Sequence, residues 1–247
     1  MNLGRRTPGD FRHVERYPLS ALIADPQDPL VIPPWGLEKS LGLPWWWKSH
    51  NQEPRSSCVG HGESAERAIT NRRQRVLTTS QDLTYRYDSN WLYDEALKVD
   101  EWPGEGDFGT SLRAGYEVLK ARGHRRVQNG KTGPENVAHG VDTYRWGINH
   151  NEVRAAIAAD LAVAIGVNWY SGFDGPYIWK NERWIRIAPT DVIRGGHCVC
   201  LYYASDRREA FRLMNSWGHN YGPVWLSYSD LDRLLSEWGE AVVVTDR

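Results

Sequence analysis

Asn51-Gln52-Glu53-Pro54-Arg55-Ser56-Ser57-Cys58-Val59-Gly60-His61-Gly62 reads as a rigid polar turn running into a helix whose first residue is a cysteine. Ser56 and Ser57 can accept from the free N–H groups of a helix start. Glu63, Glu66 and Arg67 then give way to Arg72, Arg73 and Arg75, the charge order a helix dipole favours. A thiol at a helix N-terminus has its anion stabilised, and the thiolate is the nucleophile, so this position predicts a lowered pKa and a reactive Cys58. Taken alone, a single cysteine reads more readily as a small buried hydrophobe. The helix is expected to run to about Arg75. Gly60, Gly62 and Ala65 keep part of its surface small enough for a neighbouring backbone to come close, as a helix buried between two lobes requires.

Outward from this stretch, Trp45-Trp46-Trp47 leads into the turn, with one ring expected to pack under the site and another to be partly exposed. Residues 1–44 carry Pro8, Pro18, Pro26, Pro29, Pro33, Pro34 and Pro44 and little periodicity, which predicts an extended arm lying over the body, placed to cover a groove. Beyond the helix come a short turn at Ser80-Gln81-Asp82-Leu83 and a helix from Ser89. Gly104-Glu105-Gly106-Asp107-Phe108-Gly109 follows, without the Gly-Lys-Ser/Thr ending of a phosphate loop. Thr110 or Ser111 caps a further helix ended by Gly123. After Gly123 the pattern is mostly that of antiparallel strands, with one short Ala-rich helix over 151–160 and a hairpin around Lys180-Asn181-Glu182-Arg183.

The last hairpin carries chemistry. With 205–209 as its loop, Ala204 faces Ala210, Tyr203 faces Phe211, Leu201 faces Leu213, Val199 faces Asn215 and His197 faces Trp217. His197 and Asn215 then lie diagonally on one face, roughly 7–8 Å apart along the backbone, with Trp217 beside both. An Asn carbonyl can accept the imidazole N–H, fix the ring and leave its other nitrogen to exchange a proton with a thiol. A buried His–Asn pair without chemistry is the competing reading. Cys198 and Cys200 point to the opposite side and read as buried apolar-like residues.

Composition excludes several classes. Thirty basic and 31 acidic side chains among 247 residues leave a net charge of -1, which gives no global field to recruit nucleic acid or an anionic membrane. The sequence shows no apolar run of bilayer length and no signal-peptide core within residues 1–16, and three cysteines make no secreted disulfide framework, so a cytoplasmic protein is expected. Thirteen tryptophans suit core packing rather than a cofactor box. His61, His139, His150 and His219 lack metal-ligand spacing and read as surface or structural.

Together these residues resemble a papain-like (C1-type) cysteine peptidase. The resemblance rests on Gln52 six positions before Cys58, on Gly196-His197-Cys198-Val199, and on Asn215-Ser216-Trp217-Gly218 followed by Tyr221-Gly222. His197 follows Cys58 by roughly 140 residues, inside the ~130–150 of that family, and Asn215 lies slightly beyond. Weaker similarity extends from about Trp45 to the end, and Gly109-Thr110-Ser111-Leu112-Arg113 is similar to a helix start in prokaryotic and viral-type members. The resemblance implies Cys58 as nucleophile, His197 as general base and then acid, Asn215 as its orienter, and the Gln52 amide with the Cys58 N–H as oxyanion hole. It implies no metal or cofactor, and a peptide or protein as substrate.

The implied fold is α+β, a two-lobe papain-like arrangement. An arm (1–44) precedes a helical lobe (45–125) with the nucleophile, which packs on a β-rich, antiparallel, barrel-like lobe (126–247) with His197 and Asn215. Gly106, Asp107 and Phe108 are expected to rim the cleft and support substrate, as is Trp217. An acyl transferase, an amidase or a non-catalytic peptide-binding relative would fit the same constellation. The chain departs from the family in having Arg55-Ser56-Ser57-Cys58-Val59 where Cys-Gly-Ser-Cys-Trp is frequent, and Gly196 where an acidic or polar residue often precedes the histidine. A pro-segment of the usual size is not expected before Cys58.

Overall fold

The computed structural model describes residues 3–6, 36–79 and 85–246; the expected turn at Ser80–Leu83 and most of the 1–44 arm lie outside these residues. A short strand β1 (Glu38–Ser40) precedes helix α1 (Cys58–Thr79). From 58 to 71 every residue of α1 is buried, including Glu63, Glu66 and Arg67. An amphipathic pattern is therefore not needed, because this helix is covered on all sides. Its glycines are placed where neighbours approach: a Cβ on Gly60 would overlap the Ser89 carbonyl, and one on Gly62 would overlap the Cys198 sulfur.

Strand β2 (Arg86–Tyr87) leads to helix α2 (Ser89–Ala96), capped by the Asp88 carboxylate on Trp91 N, and to helix α3 (Leu112–Arg122). Ser111 caps α3 by accepting from Ala114 N, and Gly123, at φ 77°, ends it, as the sequence predicts. Strands β3 (His124–Gln128) and β4 (Lys131–Asn136) join β2 in a small three-stranded sheet.

The large sheet follows: β5 (Val141–Gly147), helix α4 (His150–Ala158), β6 (Val163–Tyr170), β7 (Tyr177–Trp179), β8 (Glu182–Ile185), β9 (Ile193–Ser205) and β10 (Ala210–Met214). A one-turn helix α5 (Gly218–Tyr221), strand β11 (Val224–Ser227), helix α6 (Tyr228–Ser236) and strand β12 (Glu240–Asp246) complete it. The order is β5-β12-β6-β9-β10-β11-β8-β7, with β1 added to β9. Pairing is antiparallel except between β11 and β8. The sheet does not close, so the expected barrel-like lobe is an open mixed sheet; β5 is covered by α3, with Tyr144 stacked on Tyr116 at 5.4 Å. The β7–β8 loop is also tighter than expected, a two-residue turn with Lys180 at φ 49° and Asn181 at φ 62°, the left-handed pair that a twisted hairpin favours.

Helix α1 divides the interior. Ala65, Ala68 and Ile69 pack with Val163, Ile165, Val199 and Leu201 on one side, while Cys58 and Val59 join Trp91, Leu92, Leu112, Tyr116 and Cys198 on the other. The start of α1 is thereby pressed against the middle of β9, where His197 lies.

Candidate active site

The loop before α1 is held by the segment after β10. Gln52 N donates to Ser216 O at 2.8 Å, Ser216 Oγ donates to Gln52 Oε1 at 2.6 Å, Gly218 N donates to His50 O at 3.0 Å, and Asn51 forms an antiparallel bridge with Trp217. The Gln52 amide nitrogen donates to Arg55 O at 2.8 Å. On the other side, Asp107 accepts from Ser56 N at 3.1 Å and from Tyr93 Oη at 2.7 Å, and Ser56 Oγ donates to the Asp107 carbonyl. The serines are thus engaged away from the role of helix cap: Ser57 Oγ meets His61 Nδ1 at 3.3 Å. A sequence reading could not place Asp107 and His61 as competitors for these hydroxyls.

His197 and Asn215 come together as the hairpin register predicts. His197 Nε2 donates to Asn215 Oδ1 at 2.8 Å; Oδ1 also accepts from Ser216 N at 2.7 Å, a backbone donor that fixes the amide orientation. The proton of the neutral ring therefore sits on Nε2 and the lone pair on Nδ1. Nδ1 is buried and has no hydrogen-bond partner among the described residues. Trp217 lies at 4.8 Å and Trp169 edge-on at 4.6 Å from the ring, shielding the pair from water. Trp169 is a contributor that the hairpin alone does not reveal, because it arrives from β6.

Cys58 heads α1 and is fully buried. Burial pushes the thiol up to about 11, although the N–H groups of Gly4, Cys198 and Val59 and the nearby Arg5 all favour the thiolate. The lowered pKa expected from the helix start is thus outweighed by desolvation. His197 is pushed down to about 4, by burial first, against the opposing hydrogen bond to Asn215. The N–H that follows His197, that of Cys198, also favours the Cys58 thiolate, so Cys58 on α1 lies beside the stretch of β9 that carries His197.

Of the residues expected to support substrate, Trp217 touches His197, and Asp107 holds the loop before Cys58; Phe108 stands 69% exposed and Gly106 is exposed beside it. Thr110 pairs with residues 3–6 through its backbone: its N donates to Gly4 O at 2.8 Å and its O accepts from Arg6 N at 2.8 Å. Residues 3–6 thus lie in the groove, across Cys58. Sequence reasoning missed Thr110, Arg5 and Glu240 as groove residues. The sole signal for Glu240 is a carboxylate heading an otherwise apolar strand, Ala241-Val242-Val243-Val244. Among the described residues no group of His, Cys, Asp and Glu side chains has the arrangement of a metal site, and no helix is long and apolar enough to cross a membrane.

No family model and no curated protein matches the chain. Solved structures do. Xylellain, a cysteine protease from Xylella fastidiosa, superposes with a TM-score of 0.69 at 18% identity, covering 100% of this chain and 96% of that one. Procathepsin B S9 from Trypanosoma congolense gives 0.66 at 9% identity, covering 100% and 87%. Procathepsin L 3 from the larval midgut of Tenebrio molitor gives 0.59 at 12% identity, covering 99% and 76%. The α+β architecture built around α1 and β9 is therefore the fold of the papain-like cysteine proteases.

Proposed function

We propose that the protein hydrolyses peptide bonds by a thiol mechanism. The observation that carries this reading is the His197–Asn215 pair: its hydrogen bond leaves Nδ1 with a free lone pair, on the residue next to Cys198, whose N–H favours the Cys58 thiolate. Cys58 Sγ gives its proton to His197 Nδ1 and attacks the peptide carbonyl carbon. The electron pair displaced onto oxygen is held by the Cys58 N–H and the Gln52 amide. Collapse breaks the C–N bond as His197 returns the proton to the leaving amine. Water, deprotonated by His197, then adds to the thioester and expels Sγ.

A peptide or protein is the substrate class this reading requires, and an amine acceptor in place of water would make the same site a transferase. Mass spectrometry of a peptide mixture after incubation separates the outcomes, with hydrolysed ends expected and new amide linkages marking transfer. Because residues 3–6 overlie the thiol, the assay includes a chain carrying Arg5→Glu. Turnover that survives Cys58→Ala in either chain overturns the mechanism, and so does a thiol in the Arg5→Glu chain that reacts with a vinyl sulfone no faster than free cysteine.

A further inference from the structure

The His197 ring is fixed at two points, its Cβ and the Nε2 bond to Asn215 Oδ1, and a ring held there can still tilt about the line that joins them. Nδ1 lies off that line, so the tilt decides where its lone pair points. A corner of two indoles sets the tilt. The ring centres of His197, Trp169 and Trp217 form a triangle with sides of 4.6, 4.8 and 5.2 Å, and the two indole planes meet at 72°. Trp217 Nε1 has no hydrogen-bond partner among the described residues, whereas Trp169 Nε1 donates to Asp174 Oδ1 at 3.0 Å. The polar anchor of the corner is therefore Asp174.

The strand register explains how these groups meet. Between β6 and β9, Val167 faces His197 and Trp169 faces Gly195, so Trp169 and His197 are diagonal neighbours. Gly195 has no side chain, which leaves the indole room to lean across. Next along β6, Tyr170 faces Ile193, so Arg194 is the extra residue of a bulge. Bulges re-aim side chains, and Arg194 Nη1 donates to Asp174 Oδ2 at 2.6 Å. Asp174 closes the turn after β6, its N donating to Ser171 O at 3.2 Å, with Phe173 edge-on to Trp169 at 5.1 Å. Trp169 is 1% exposed but the Asp174 side chain keeps 29%, so the carboxylate can be changed without opening the core.

We propose that Asp174 is a positioning residue for His197: it holds the Trp169 indole by its N–H, and the indole sets the tilt of the imidazole. Arg194, three residues before His197 on the same strand, holds the carboxylate in turn. The proposal rests on the peptidase reading only in the use made of Nδ1.

Two readouts test this, with urea midpoints measured alongside to separate loss of fold from loss of position. In the Arg5→Glu chain, Asp174→Ala is expected to slow vinyl-sulfone labelling of Cys58 by about tenfold, the scale of a proton acceptor displaced by a fraction of an ångström. Asp174→Asn, which keeps an acceptor for the indole, is expected to restore the rate to within about threefold of the parent. Trp169→Phe keeps a ring and lacks the N–H, so adding Asp174→Ala to it is expected to cost less than about twofold more. The second readout uses no thiol. In the full chain carrying Cys58→Ala and Arg5→Glu, the His197 Nε2 proton, followed by NMR with 15N-labelled histidine, is expected to exchange with water about tenfold faster once Asp174→Ala is added. An Asn variant as slow to label as the Ala variant, an equal cost of Asp174→Ala with Trp169 and with Phe at that position, or an unchanged proton exchange rate overturns the proposal. Should Trp169→Phe fail to fold, the Asn and Ala variants of Asp174 still decide. Labelling of the parent that His197→Ala leaves unchanged would sink the peptidase reading, and proton exchange would then decide the positioning role alone.

Discussion

The two walls of the groove are held in different ways. His197 on β9 and Asn215, the residue just past β10 of the same hairpin, orient each other through a single hydrogen bond and need from elsewhere mainly the Trp169 ring. The Cys58 wall is assembled from afar: Ser216 fixes Gln52, Asp107 fixes Ser56, and Gly4 lies over the thiol. Burial acts on both walls with opposite sign, pushing the histidine down and the thiol up, so each is held neutral. A wall built within one hairpin survives loss of its neighbours; a wall built from four segments fails when any of them moves.

The comparison can be broken most severely at the base. His197→Ala, measured as turnover in the Arg5→Glu chain, is expected to cost about 10³-fold or more, because it removes the proposed acceptor of the thiol proton. Chemical unfolding should remain two-state and shift little, which would show that the loss is chemical.

The pH ends of stability come next. His197 and His61, both pushed down to about 4 chiefly by burial, contribute stability that is present above about 6.5 and lost as pH falls through 4. Cys58, raised to about 11 by burial, contributes stability that is present below about 9 and lost as pH rises through 11. Each of these groups is worth roughly 3 kcal/mol. Urea midpoints should be flat between about pH 6.5 and 9 and fall on either side. Cys58→Ala should remove part of the alkaline fall and leave the acid fall intact.

A smaller effect sharpens the contrast. Asp107→Ala strips partners from Ser56 N and Tyr93 Oη, and is expected to cost about 1–2 kcal/mol in thermal unfolding. It should slow labelling of Cys58 relative to the parent Arg5→Glu chain while leaving the His197–Asn215 pair undisturbed. Retention of the parent labelling rate would show that the nucleophile wall does not depend on this clamp.

Smallest should be Glu63→Gln. Glu63 lies on α1 and has no hydrogen-bond partner among the described residues; burial, with Glu66 and Glu240 nearby, holds its carboxyl well above the ordinary range, so the group is already neutral. Its replacement by an amide of the same shape is expected to change the urea midpoint by less than about 1 kcal/mol in stability. A large loss would mean that Glu63 carries charge.

The same contrast decides what could be read from the chain before folding. The period-two logic of β9 and β10 was enough to bring His197 and Asn215 together, and it succeeded through a compensation. Ala210 pairs with Ser205 and not Ala204, but Tyr202 is an extra residue on β9, so Leu213 still meets Leu201 as expected. A loop one residue shorter than assumed and one bulge cancel before the site is reached. The helix starting at Cys58 and the caps of α3 were also legible, because they depend on neighbours in sequence. What failed depends on distant segments: the use of Ser56 and Ser57 as caps, and the thiol's pKa. The solvent exclusion that raises the thiol is a property of the packed groove, to which no local pattern points.

Strand β9 has one more consequence. It binds Arg5 through Gly196 near one end and β1, residues 38–40, at the other, roughly 30 Å apart along the strand. The chain that connects these two points is thus tethered at both ends of the strand that carries His197. An occupant delivered by its own chain meets the groove at a concentration that is independent of how dilute the protein is. Dilution cannot open the groove; a competing ligand, or cutting the tether, can.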